Sequence, residues 1–188
     1  MNIVTDEALK KKYNKLYKKF IKGDFLEVIK ECNKILKKRK HQLFFNLLSF
    51  AYQKSGKIEK SIDIMREALA LNPNHPNFLN NIGTCFYMLH KYSEAEKYFK
   101  KGLEIDNKHL HILNNLGNLK RETSKIEDSI EYYKKVLGIQ NDAVPALFNL
   151  VGIYRITNKK ENSKQLCKKI LELNKKLTDA DRQYSLVH

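Results

Sequence analysis

Long apolar runs, paired cysteines and catalytic signatures are all missing from this chain of 188 residues. No stretch approaches the roughly 18 apolar residues of a membrane span, so membrane insertion is not expected. The opening Met1-Asn2-Ile3-Val4-Thr5-Asp6-Glu7 lacks the charged and then apolar order of a secretory signal, and residues 1–5 are expected to be frayed. Cys32, Cys85 and Cys167 are far apart and fall at apolar helix positions. That placement argues against a disulfide framework or a zinc site and predicts packed thiols. A reducing, cytoplasmic setting is the expectation. There is no HExxH, no Gly-rich phosphate loop and no CxxC. His109 and His111 have no carboxylate or thiol at ligand spacing. These gaps predict no catalytic residues, no metal and no cofactor, so the chain by itself is not expected to be an enzyme.

Positive charge is what the sequence has in excess. The formal net charge is +15, and residues 1–41 hold 13 Lys/Arg against 5 Asp/Glu, the remainder 23 against 16. Lys10, Lys11, Lys12, Lys15, Lys18, Lys19 and Lys22 surround the first helix everywhere except on its apolar stripe, the pattern of a solvated face. Solubility, or weak attraction to acidic partners, is the expectation; nucleic-acid binding through this helix is the least favoured reading.

The chain also repeats itself. Leu79, Ile82, Gly83, Phe86, Ala95, Phe99, Gly102 and Leu103 return 34 residues later as Leu113, Leu116, Gly117, then Ser129, Tyr133, Val136 and Leu137. One step back they are Phe45, Leu48, Ser49, Tyr52, Ser61, Met65, Ala68 and Leu69, closed by Pro73. One further step forward gives Leu147, Leu150, Val151, Tyr154, Ser163, Cys167, Ile170 and Leu171. A fixed period of this size marks a stacked-repeat protein. Each unit is expected to be two antiparallel helices, with Gly83, Ala95 and Gly102 letting the axes approach to the low end of the usual ~8–10 Å.

The spacing resembles the tetratricopeptide repeat (TPR) family, with its bulky residue, Leu-Gly, aromatic, Ala, aromatic and often Pro. That resemblance implies an all-α, right-handed α-α superhelix forming a single domain over 1–188. Its repeats would be 9–41, 42–75, 76–109, 110–143 and 144–177. The first is degenerate: Lys15 and Leu16 replace the Leu-Gly pair, and the unit is one residue short. Its first helix shows Tyr13, Leu16, Tyr17, Phe20 and Ile21 on one face, its second Phe25, Val28, Ile29, Cys32 and Ile35. Turns are expected at Ser55-Gly56-Lys57, near His90-Lys91 and near Ser124-Lys125. Lys120 stands where the family prefers an aromatic, which predicts thinner packing there. Val151 and Ile170 fill small-residue positions and Gly152 comes one place late, which predicts a slightly splayed last pair. Thr178-Asp179-Ala180-Asp181 reads as a capped start of a C-terminal helix over 178–188, either a short lid or a sign that the natural chain continues.

In the family, first helices line a concave binding surface. Two Asn rows fall there by register: Asn46, Asn80 and Asn114, and Asn81, Asn115 and Asn149, with Asn118 one turn on. Asn carries the donors and acceptor of a peptide bond, so a row can hold an extended backbone without reading its sequence. This resembles the asparagine ladder of nucleocytoplasmic protein glycosyltransferases that modify Ser and Thr. The resemblance implies rungs at Asn81, Asn115 and Asn149, with Leu47 in place of a rung in repeat two. The alternative is that these Asn bond their neighbours inside the fold. Phe50, Tyr87, Met88, His111, Arg121 and Arg155 are the inward candidates for side-chain pockets, and the two arginines suit an acidic ligand group. Another mode of the family clamps a C-terminal carboxylate with Lys, and is disfavoured because Asn46, Asn80 and Asn114 stand where Lys is needed.

The reading is a scaffold that binds a protein or extended peptide in the groove. The rival is an N-terminal, substrate-recruiting TPR segment of a larger transferase. The stretch 178–188 resembles the joint before the catalytic domain of bacterial TPR-sulfotransferases. Self-association through exposed end faces stays open.

Overall fold

The computed structural model describes the backbone of residues 6–187 and the side chains of residues 7–175; Met1–Thr5 lie outside the described residues. Within those bounds there are ten helices and no strand. They are α1 (Asp6–Ile21), α2 (Phe25–Lys38), α3 (Gln42–Lys54), α4 (Ile58–Leu71) and α5 (Pro76–Met88), then α6 (Tyr92–Ile105), α7 (Leu110–Glu122), α8 (Ile126–Ile139), α9 (Val144–Ile156) and α10 (Lys160–Val187). Two compact units meet in the sequence at Asp106 and Asn107. The first holds three helix hairpins, α1–α6, and the second holds two, α7–α10. The undivided 1–188 domain expected from the repeats is thus replaced by two units. The division falls in the non-helical link between α6 and α7.

The hairpin bends keep the period to the residue. Gly56 (φ +71°), His90 (+58°), Ser124 (+60°) and Asn158 (+56°) are each 34 apart, and all are left-handed. Each closes its helix in the same way: the amide of the next residue donates to a carbonyl five back, as Lys57 to Tyr52 (2.9 Å), Lys91 to Phe86 (2.9 Å), Lys125 to Lys120 (2.8 Å) and Lys159 to Tyr154 (2.8 Å). These satisfy carbonyls that a helix end leaves open. A second row sits at the links between hairpins, where His41, His75 and His109 are N-caps of α3, α5 and α7. Nδ1 of His41 accepts from the Leu43 amide and Nδ1 of His109 from the Ile112 amide, both at 3.3 Å.

Small residues mark the crossings. A Cβ on Gly83 would stand 2.6 Å from the Phe99 ring, and one on Gly117 2.6 Å from the Tyr133 ring. In α3–α4 the equivalent crossing pairs Ser49 with Ser61, whose hydroxyls are 2.7 Å apart. In α7–α8 the Ser129 hydroxyl donates to the Gly117 carbonyl at 2.8 Å. The core of the first unit is built from Val28, Cys32, Phe44, Leu48, Met65, Ile82 and Phe99, and that of the second from Ile112, Leu116, Tyr133, Leu147, Leu150 and Ile153.

Several expectations are corrected. On α1 it is Leu9 and Leu16 that are buried, while Tyr17 and Ile21 are exposed. A helix advances 3.6 residues per turn, and Tyr17 and Ile21 fall off the edge of the stripe through Leu9, Tyr13, Leu16 and Phe20. Cys32 and Cys85 are packed thiols, but Cys167 is exposed. Lys120 is 7 % exposed; its aliphatic stem occupies the space an aromatic fills in the neighbouring repeat. Gly152 meets nothing within 4 Å of a built Cβ and takes no part in a crossing. Lastly, α10 is one uninterrupted helix of 28 residues, so no separate helix begins at 178. Residues 160–187 contain neither Gly nor Pro, and extending a helix is cheaper than nucleating a new one. The side chains of the expected cap, Thr178 to Asp181, lie outside the described residues.

Candidate functional site

The first helices of the hairpins carry the predicted site residues. In the first unit α1 packs on α3 and α3 on α5. Asn81 of α5 is 7 % exposed, and its Nδ2 donates to Oδ1 of Asn46 on α3 at 3.0 Å. It also approaches Sδ of Met65 at 3.7 Å. The bond runs from one predicted row to the other, across 35 residues, and fastens neighbouring first helices together. Around it stand large exposed side chains: Phe50 on α3, Met88 on α5 and Tyr17 on α1. Tyr17 is stacked between Tyr13 (centroids 5.9 Å) and Phe20 (6.2 Å). Tyr87 is half-buried and leans on Tyr92 at 5.7 Å. Asn80 is half-buried, and its carbonyl accepts from the Thr84 hydroxyl at 2.9 Å.

The second unit repeats the motif. Asn149 Nδ2 on α9 donates to Asn114 Oδ1 on α7 at 3.4 Å, again across 35 residues. Here Arg121 is added: Nη1 donates to Asn149 Oδ1 at 3.3 Å, and Nη2 to Glu122 Oε1 at 3.2 Å. The guanidinium is thus held in a chain Arg121–Asn149–Asn114. Asn118 accepts from the Tyr133 hydroxyl at 2.7 Å, so its carbonyl is engaged in the core crossing. Asn115 is half-buried. His111 and Asn114 line a cavity of about 410 Å³ with Val136, Gln140, Asp142 and Val144. Exposed Arg155 lines another recess, of about 380 Å³, with Val151, Lys164 and Cys167.

The structure therefore brings together Asn46 with Asn81, and Asn114 with Asn149 and Arg121. It places Phe50, Met88, His111 and Arg155 on the surface of their own units. Tyr17 is the wall residue that the repeat reading missed. Phe50 follows it by 33 residues, the length of the shortened first unit, so carrying the one-residue deletion into the wall register finds it. No group of three or more His, Cys, Asp or Glu side chains that could hold a metal ion occurs among the described residues. None of the described helices is long and apolar enough to cross a membrane.

Tetratricopeptide-repeat models match residues 42–108, 110–142 and 144–177. Among curated proteins none matches this sequence. Solved structures do. MamA is 20 % identical, with 86 % of this chain and 95 % of that one covered and a TM-score of 0.69. PilF of Pseudomonas aeruginosa is 18 % identical over 86 % of this chain and 74 % of its own, with a TM-score of 0.73. The first TPR of Spaghetti (RPAP3), bound to the HSP90 peptide SRMEEVD, is 20 % identical over 62 % and 92 %, with a TM-score of 0.56. At such identities the likeness shows the fold, an all-α TPR solenoid. The chain belongs to the tetratricopeptide repeat family.

Proposed function

We propose that this tetratricopeptide-repeat chain is an interaction scaffold whose first helices hold an extended peptide or a segment of a partner protein. The observation that carries the reading is the exposure of Phe50 and Met88 on α3 and α5, beside an asparagine pair already fixed by its own hydrogen bond. Large apolar side chains left in water next to organised polar groups are what a peptide site needs. A protein of the same fold, the first TPR of Spaghetti, holds an HSP90 peptide.

The roles divide by burial. Each Asn–Asn bond uses one donor and one lone pair, while an Asn has two donors and two lone pairs. The half-buried members Asn46, Asn114 and Asn149 keep capacity for a ligand backbone, and Asn80 and Asn115 are assigned the same part. Asn81 is a positioning residue that aims Asn46. Phe50, Met88, Tyr87 and Tyr17 take apolar ligand groups; Arg121, His111 and Arg155 favour an acidic one. Three or four neutral hydrogen bonds net only a few kcal/mol at about 0.5–1.5 each. Micromolar binding needs about 8 kcal/mol, so the apolar and charged contacts must supply the rest.

Peptides selected from a random library on the intact chain, then measured by fluorescence anisotropy, test this. Phe50→Ser with Met88→Ser is expected to weaken the selected peptide at least tenfold, and Arg121→Ala about fivefold. Lys97→Gln, on the exposed side of the second helix α6, is the control. Equal losses from Lys97→Gln, or none from Phe50→Ser with Met88→Ser, would place the ligand elsewhere.

A further inference from the structure

The tip of the first hairpin presents two large aliphatic side chains to water. Ile21 ends α1 at 66 % exposure, and Leu26 stands in the first turn of α2 at 73 %. They flank the tight turn Lys22-Gly23-Asp24, closed by Gly23 N–H to the Phe20 carbonyl at 3.0 Å and Asp24 N–H to the Lys19 carbonyl at 3.1 Å. The turn rests on a rigid base, the Phe20 and Phe25 rings meeting edge-on at 5.4 Å. Lys18, Lys22 and Lys30 are exposed around the aliphatic pair. Lys19 is spent on Glu27 at 3.2 Å, and Asp24 is the one acidic residue within the turn. Further along both helices the exposed faces carry Lys10, Lys11, Lys12, Lys15, Lys34 and Lys37.

We propose that this tip is a peripheral docking surface for an anionic lipid bilayer: Ile21 and Leu26 enter the headgroup–acyl boundary while the surrounding lysines meet acidic headgroups. Stable attachment to a membrane surface takes two signals, apolar burial and a polybasic patch, and the hairpin tip supplies both. No spanning helix is involved. Charge complementarity selects the occupant. Each lysine close to an acidic leaflet contributes about a fivefold factor in affinity. Nucleic acid fits less well. It gives no use to two exposed aliphatic side chains, and the lysines here are strongly hydrated point charges without the planar fork of arginine. The only arginine among residues 1–41 is Arg39, after the end of α2 and away from the tip. The proposal is independent of the peptide wall, since it involves none of the residues assigned there.

The test is partitioning of the intact chain between buffer and vesicles at about 0.1 M salt. Phosphatidylcholine vesicles with a third phosphatidylserine are compared with pure phosphatidylcholine. At least tenfold preference for the acidic vesicles is expected. Ile21→Ser with Leu26→Ser should lower that binding about tenfold, and Lys18→Gln with Lys22→Gln and Lys30→Gln by tenfold or more. A second variant reads insertion directly. The chain has no tryptophan, so Leu26→Trp is a sole fluorophore whose emission should shift to the blue on acidic vesicles only. Equal partitioning onto both vesicles, an unshifted Leu26→Trp spectrum, or full binding by the Ile21→Ser, Leu26→Ser chain overturns the proposal. Full binding by that variant together with tight binding of generic RNA assigns the lysines to nucleic acid instead.

Discussion

Asn81 in α5 gives its side-chain amide to the carboxamide oxygen of Asn46 in α3 at 3.0 Å, and Asn149 repeats the bond to Asn114 at 3.4 Å. The asparagines of the wall therefore serve the fold before they serve a ligand. Their two uses are separable because the two bonds differ in depth: Asn81 is buried, Asn149 only half so.

Asn81→Ala is expected to lower the unfolding free energy by about 1–2 kcal/mol, since it deletes a buried hydrogen bond and leaves Asn46 without its donor. Asn149→Ala, nearer to water, should cost about 0.5 kcal/mol. Urea denaturation of the two single variants measures both. Equal and negligible losses would mean that neither bond holds helices together.

Gly83→Ala sets a steric penalty against a gain in helix propensity. The added methyl would lie 2.6 Å from the Phe99 ring, a ring that is itself fully buried and cannot swing aside. Overpacking of this kind costs about 1–3 kcal/mol, against about 1 kcal/mol that Ala gains over Gly in a helix. A net loss of about 1–2 kcal/mol is expected. Gly138→Ala is the internal control: nothing lies within 4 Å of its built Cβ, so the propensity gain stands alone and the variant should be more stable. Thermal melts that move both variants in the same direction would contradict this account.

His75 links the fold to pH. Its ring stacks on Phe78 with centroids 4.0 Å apart, its Nδ1 is buried without a partner, and burial holds its pKa below the ordinary imidazole value. The neutral ring is thus favoured in the folded chain. Its contribution to stability is complete above the unfolded pKa of about 6.5 and is lost as pH falls through the lower folded value. Urea midpoints should therefore drop from pH 8 to pH 5 more steeply in the wild type than in His75→Gln. Parallel pH profiles for the two chains would show that His75 contributes nothing to the slope.

How far the sequence foretells this molecule depends on how local each signal is. The crossings at Gly83 and Gly117 and the bends near Gly56, His90 and Ser124 are legible because the same steric demand recurs every 34 residues. Tyr17 and Ile21 are misplaced because the first unit is one residue short, which rotates its helix face against the common register. The histidine row at His41, His75 and His109 is equally periodic, but N-cap sequence signals favour Ser, Thr, Asp and Asn, so histidine there gives no warning. At 178 the opposite happens: Thr and Asp advertise a helix start, yet the preceding turns supply no breaker and α10 runs on. The Asn–Asn bonds lie beyond any reading of spacing alone, because equal spacing fits both a free row and a row tied to its neighbour.

One sulfur differs from the other two. Cys32 is fully covered and its thiol is pushed up to about 12 by burial, while Cys85 is enclosed with Gln53 and Ser61 at 3.4 and 3.3 Å. Cys167 alone stands at the surface, on α10 beside Arg155. The wild-type chain thus carries its own single attachment point: a maleimide dye would go onto α10 and nowhere else, without any engineered residue and without touching α1, α3, α5 or α7.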